Sequence, residues 1–235
     1  MSGSRGRWQV VEPSTVRREP RCPCAPPSRS GSLGTALAVL LVGVLHVIDG
    51  DRVDPVRRTI SEYALRDHGW MFDVGVLALA AGSVAVLVAL VRAGLVRWPS
   101  FAAVGMLVWA AGMVAVVAFE KTNWSVGPSI GGVIHRYASL LAFLALPVAT
   151  LVATRGRDGA AWPRRLAIAA LTWLGAILSG VVLRPFSGVP WWQFLPLGIM
   201  ERGLALTEVA VVVALAIWAG SRSAQVEAGA ALSAR

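Results

Sequence analysis

Four side chains scattered along the chain, His46, Asp73, His135 and Glu208, are of the types that ligate a divalent metal and activate water. Gathered at one point, they would suit metal-dependent intramembrane hydrolysis of a lipid ester or amide. A second set has a different chemistry. Arg57, Arg58, Arg136 and Arg184 carry guanidinium groups suited to gripping phosphate or carboxylate, and Trp191, Trp192 and Phe194 are placed to lie along an acyl boundary. Asp54, Ser61, Glu62 and Glu201 complete this candidate ligand-binding set with Asp73, His135 and Glu208. Spacing argues against the metal: no HExxH, no HxxxH and no serine within a GxSxG occurs, so no resident metal or cofactor is expected. A third account needs no ligand: the charges pair at helix ends, the histidines are hydrogen-bonded bundle residues, and the protein is a scaffold or accessory subunit.

The elements that must position these residues are long apolar runs. Six approach or exceed the roughly 18–20 residues that cross a bilayer as helix, near 33–49, 71–92, 100–119, 134–153, 166–183 and 200–220. Most are apolar around the whole circumference, unlike the one-sided stripe of a soluble helix. The fold class is therefore all-α, a polytopic integral membrane bundle of six transmembrane helices, with the membrane domain over 31–221. Residues 1–30, rich in Arg, Pro and Ser, predict a disordered cytoplasmic tail or the product of a misassigned start, and 222–235 a C-terminal cytoplasmic tail. "HVIDGDR" offers no small-residue cleavage site, so the first run reads as a retained span. Cys22 and Cys24 are the only cysteines, and too few ligands surround them for a zinc site.

Net charge is +9, which in a soluble protein would suggest nucleic acid. The distribution points elsewhere. With the N-terminus inside, 14 of the 22 basic residues fall on the inner side, whereas 9 of the 13 acids fall at the other. The basicity is thus an orientation signal that places both termini in the cytoplasm and excludes nucleic acid as a partner. One lysine, Lys121, against 21 arginines resembles the usage of a GC-rich bacterial genome, which gives a cell (inner or plasma) membrane location and demotes the Asn123-Trp124-Ser125 sequon to chance. Membrane lipids are the expected partners; a homo-oligomer or an accessory membrane subunit is left open.

The acids and bases of the outer side gather near helix ends. Asp49 and Glu120 lie at C-terminal ends and Arg136 and Arg202 at N-terminal ends, each against the helix macrodipole by about 0.3–1 kcal/mol. Acids of odd helices pairing with bases of even ones would compensate. Glu208 follows Glu201 by seven residues, so it lies on the same face about 10 Å deeper. It should face the bundle interior, paired or protonated.

The stretch "DPVRRTISEYALRDHGWMFDVG", 54–75, connects the first two spans. Asp54-Pro55 predicts a turn, Thr59-Ile60-Ser61-Glu62 a capping box opening a short interfacial helix, and Gly69 the end of the turn after Asp67 and His68. Trp70 and Phe72 should anchor the second span at headgroup depth. Small residues at Ala78, Gly82, Gly105 and Gly112 predict close helix contacts, Pro147 a kink, and Pro185 a stop. "RPFSGVPWWQFLPLGIMERG", 184–203, reads as a segment lying flat in the outer interface, its prolines and glycines forbidding a regular span and its aromatics opposing solvation.

"DPVRRTISEYA", with "HRYASLLAF" and "ERGLALTEV", resembles the bacterial and archaeal family catalogued as Domain of Unknown Function 998, over about 33–220. The family's D-P-x-R-x-x-I-S-E-type signature corresponds to Asp54, Pro55, Arg57, Ile60, Ser61 and Glu62. The resemblance implies six spans and leaves the chemistry open. The motif's place between the first two spans is also similar to the I-S-D element of DRAM/Sfk-type membrane proteins, some of which act in lipid handling. Together these features predict a protein that binds or handles a lipid-like amphipathic ligand at an extracytoplasmic polar pocket.

Overall fold

The computed structural model describes residues 27–123, 125–187 and 195–233. Six helices follow in order: α1 (Pro27–Ile48), α2 (Gly69–Arg92), α3 (Phe101–Ala118), α4 (Ile130–Thr154), α5 (Ala161–Ser187) and α6 (Leu197–Ser233), with a 3-10 helix over Ile60–Leu65 between the first two. Each of the six contains a stretch long and apolar enough to cross a membrane. Helix is the form such sequences must take in lipid, where every backbone N–H and C=O has to find its partner within the segment.

Consecutive helices pack against each other, and α6 returns to α1 to close a ring; α6 also reaches across to α2 and α4. The core runs down the inside of this ring, with Leu45, Leu90, Trp109, Leu146, Val211 and Leu215 fully enclosed. Large apolar side chains such as Leu40, Ile168 and Val182 point outward. That is the pattern of a bundle solvated by hydrocarbon, where exposing leucine costs nothing.

Because lipid removes the hydrophobic incentive for helices to associate, close contact depends on small residues. A Cβ on Gly34 would lie 2.6 Å from the Ala78 carbonyl oxygen, and one on Gly82 would lie 3.0 Å from the Gly31 carbonyl oxygen, so α1 and α2 touch backbone to backbone. Gly105 and Gly112 play the same part in α3 against Ala149 and Ala142 of α4. One buried polar bond ties α2 to α3: Trp109 Nε1 donates to Ser83 Oγ at 3.0 Å, while Ser83 donates to the Leu79 carbonyl. The Ser100 and Ser129 hydroxyls accept from backbone N–H groups in the first turns of α3 and α4 and so cap those helices.

Several local expectations are corrected. The stop expected at Pro185 does not occur, since α5 continues two residues past it, to Ser187; Pro147 lies within α4. Residues 197–203 form the first turns of α6, so the tail of the 184–203 segment is helical; 188–194, including Trp191, Trp192 and Phe194, lie outside the described residues. Gly69 closes the turn after Asp67 and His68, as expected, its N–H donating to the Arg66 carbonyl at 2.9 Å, and in the same place it opens α2, where a Cβ would crowd the Ala64 carbonyl oxygen. Thr59 is the N-cap of the 3-10 helix, but its side chain makes no capping bond, so the predicted capping box does not form. The reason is competition: the Thr59 and Glu62 side chains both bond to Lys121.

Candidate functional site

The connection between α1 and α2 folds over one end of the bundle. Asp54 Oδ1 accepts from the Val56 N–H at 2.8 Å, an Asx turn that aims successive backbone carbonyls at the start of α6. The Val56 carbonyl accepts from the Gly198 N–H at 2.9 Å, a position open only to glycine, because a Cβ there would sit 2.5 Å from the Pro55 oxygen. Arg202 Nη1 then donates to the carbonyls of Pro55 (3.0 Å), Arg58 (2.6 Å) and Gly198 (3.1 Å). The unfavourable placement of a cation at a helix N-terminus is offset in this way: carbonyl dipoles from the loop face both the helix end and the guanidinium.

Arg202 Nε also donates to His46 Nε2 at 2.8 Å, and His46 Nδ1 donates to the Val42 carbonyl at 2.7 Å. Since arginine has no acceptor and the carbonyl has no donor, His46 is the neutral Nδ1–H tautomer, with both nitrogens occupied. Tyr63 is buried between them, its ring 5.0 Å from the His46 ring and 6.0 Å from the Arg202 guanidinium carbon. Beside it, the Glu201 carboxylate lies near the Ile60 backbone. Lys121, at the end of α3, bonds Thr59 Oγ1 and Glu62 Oε1, the latter at 3.1 Å and with both side chains largely enclosed. The loop is therefore latched twice, by α6 through Arg202 and by the α3–α4 connection through Lys121.

Beneath this ceiling lies a cavity of about 430 Å³, almost wholly apolar in its wall. It is lined by α1, α2, α3, α4 and α6, with Val42, Phe72, Leu79, Trp109, Met113, Phe143 and Val209 among the apolar contributors. His46, Ser61, His135, Ser139, Glu201 and Arg202 supply its polar side chains. His135 Nδ1 donates to the carbonyls of Val116 (3.0 Å) and Phe119 (2.9 Å), closing the C-terminal end of α3. The wall includes Val39 and Gly43 of α1 and Leu206 of α6, all exposed on the outside of the bundle, Leu206 by 64%. The cavity thus reaches the outer surface along the seam between α1 and α6, at the depth of the spans.

Of the residues chosen from sequence, Ser61, His135, Glu201 and His46 meet at this cavity. Others do not. Arg57, Arg58 and Arg136 are exposed and form no part of its wall; Arg58 instead contacts Glu62 at 3.5 Å. Arg184 lies in helical backbone, and its side chain is outside the described residues. Asp54 shapes the turn, and Glu62 serves the latch. Asp73 is partly buried on α2 near Glu120, an acid beside an acid, and Asp49 pairs with Arg52 and His68 of its own loop. Among the described residues the predicted pairing of odd-helix acids with even-helix bases is thus replaced by pairing within the loop and between the loop and Lys121. Glu208 is fully buried, as expected, yet neither carboxylate oxygen has a hydrogen-bond partner among the described residues, and it is not in the cavity wall. Among the described residues no three of His, Cys, Asp and Glu group as metal ligands, so His46, Asp73, His135 and Glu208 do not converge.

Sequence reasoning missed Phe72 and Trp109 as wall residues: Phe72 reads as a headgroup-depth anchor and Trp109 does not stand out within its span; of the two expected anchors Phe72 is buried and Trp70 is exposed. Ser139 was legible in principle, being four residues beyond His135 and so on its face.

The three stretches that carry the signature, 54–64, 135–143 and 201–209, meet at this one place, in the ceiling and the wall. No curated protein and no solved structure matches the chain. A family model described as "Protein of unknown function (DUF998)" matches residues 32–218, and the chain belongs to that family.

Proposed function

We propose that this protein binds or handles a lipid-like amphipathic ligand whose apolar part occupies the cavity under the 49–68 loop. One observation carries it: an apolar hollow of about 430 Å³ with polar groups at one end and an opening along α1 and α6. A volume in this range suits a small-molecule site, and an opening at span depth lets a ligand enter from the bilayer without crossing water. The arginine distribution supports a cell membrane setting with both termini cytoplasmic and the loop face outside. A recognition role is favoured over metal hydrolysis because the candidate ligands lie apart.

Native mass spectrometry of gently purified protein, combined with elemental analysis, tests this. A copurifying lipid at about one per chain is the expected result. Bare protein, or a stoichiometric transition metal in place of lipid, would overturn it.

A further inference from the structure

The same cavity also points to a class of ligand, an inference that rests on the lipid assignment above. The first constraint is size. At roughly 30 Å³ for a unit the size of a water or methylene, a cavity of about 430 Å³ encloses about fourteen such units, the bulk of one chain, and a second chain would have to lie outside it along the α1–α6 opening. The second is the hydrogen-bonding capacity left at the polar end. His46 has both nitrogens in use, and Arg202 has Nε and Nη1 in use, with Nη2 enclosed and without a hydrogen-bond partner among the described residues. Of Glu201, Oε2 is likewise enclosed without a partner among the described residues, and the carboxylate lies beside the Ile60 backbone.

What remains for a ligand is His135, Ser139 and Ser61. His135 Nδ1 carries the proton, because both its partners are carbonyls, so Nε2 of the neutral ring accepts. The Ser139 hydroxyl donates to the His135 carbonyl at 2.8 Å, leaving its lone pairs. Ser61 shares one hydrogen with Thr59 at 3.2 Å, and it too keeps a lone pair whichever of the two donates. All three therefore offer acceptors. Ser61 can also donate when Thr59 supplies the shared hydrogen, so the end matches a group that both donates and accepts; a phosphate or carboxylate, which only accepts, would meet one hydroxyl donor, with Arg202 already engaged by His46 and the loop carbonyls and Arg57, Arg58 and Arg136 outside the wall.

We infer that the cavity takes a single-chain lipid with an uncharged hydroxyl head, its O–H donating to His135 Nε2 or the neighbouring serine oxygens and its chain running toward the α1–α6 seam. Native mass spectrometry titration of delipidated protein with dodecan-1-ol, dodecyl methyl ether, dodecanoate and dilauroyl phosphatidylcholine tests it. The alcohol should bind one per chain and about three- to tenfold tighter than the ether, the worth of one hydrogen bond. His135→Phe should abolish that preference. Because His135 also closes α3, Ser139→Ala, which leaves that contact alone, serves as the second variant and should reduce the preference. Ether, dodecanoate or phospholipid binding as well as the alcohol would refute the headgroup class while leaving the lipid cavity standing. Failure of every chain to bind would refute both.

Discussion

Replacing Gly43 by phenylalanine fills the proposed slot without disturbing the helices around it. Gly43 lines the cavity at its α1 edge, and a Cβ built there meets no heavy atom within 4 Å, so the new side chain has room. Exchanging a helix-interior glycine for phenylalanine shifts intrinsic helix stability by less than about 0.5 kcal/mol, in the favourable direction. The seven added carbons amount to about 200 Å³ at roughly 30 Å³ each, close to half of the cavity. If half of that volume falls inside the slot, three or four methylene-sized units of ligand are displaced. At about 0.8 kcal/mol each, for an amphiphile presented from water, the loss is about 3 kcal/mol, or roughly 100-fold in affinity. Gly175→Phe in α5 is the matched control, since Gly175 also has nothing within 4 Å and is not in the wall. Thermal unfolding in detergent and titration with a dodecyl amphiphile are then compared. Unchanged melting with about 100-fold weaker binding in Gly43→Phe alone is the expected outcome; equal binding by both variants and the parent would refute the cavity as the binding site.

The remaining predictions concern the ceiling and the packing that supports it. Arg202→Met removes the donor to three carbonyls and to His46, so backbone hydrogen exchange over 54–65 should accelerate by one to two orders of magnitude, whereas that of α3 and α4 stays slow. A double-mutant cycle of Glu62→Gln and Lys121→Met should give a coupling of about 1 kcal/mol by thermal or denaturant unfolding, above the exposed-pair value because both side chains are largely enclosed. Gly34→Leu should destabilise the fold by at least about 1–3 kcal/mol, seen as loss of monodisperse protein on size-exclusion chromatography, because its Cβ would lie 2.6 Å from the Ala78 oxygen.

The spans were plainly legible because a bilayer demands long apolar helices, and nothing but composition and length is needed to see them. The clustering of polar groups at one end was legible for a related reason, since each span reverses the chain and alternate connections fall at the same end of the bundle. What could not be read were partners supplied by the backbone. Arg202 looked misplaced at a helix start, yet its partners are the Pro55 and Arg58 carbonyls, which no residue type encodes. The Thr59–Glu62 pattern fitted a capping box, but Lys121, some 60 positions away, outcompetes local bonds for both side chains. The arginines were overvalued as anion ligands because sequence places a residue at an end of the bundle without saying which way it faces; Arg58 turned toward Glu62 and Arg136 toward the exterior. Glu208 was correctly placed inside, but its lack of a partner among the described residues has no counterpart in a helical-wheel argument.

Photo-crosslinking in lipid nanodiscs measures the binding site most directly, using a dodecyl amphiphile with a diazirine at the chain end and peptide mapping by mass spectrometry. Label concentrated on 38–46 of α1 and 205–209 of α6, and lost in Gly43→Phe, is the predicted result. Label spread evenly over lipid-facing positions such as Ile168 and Val182, and unchanged by that substitution, would contradict it.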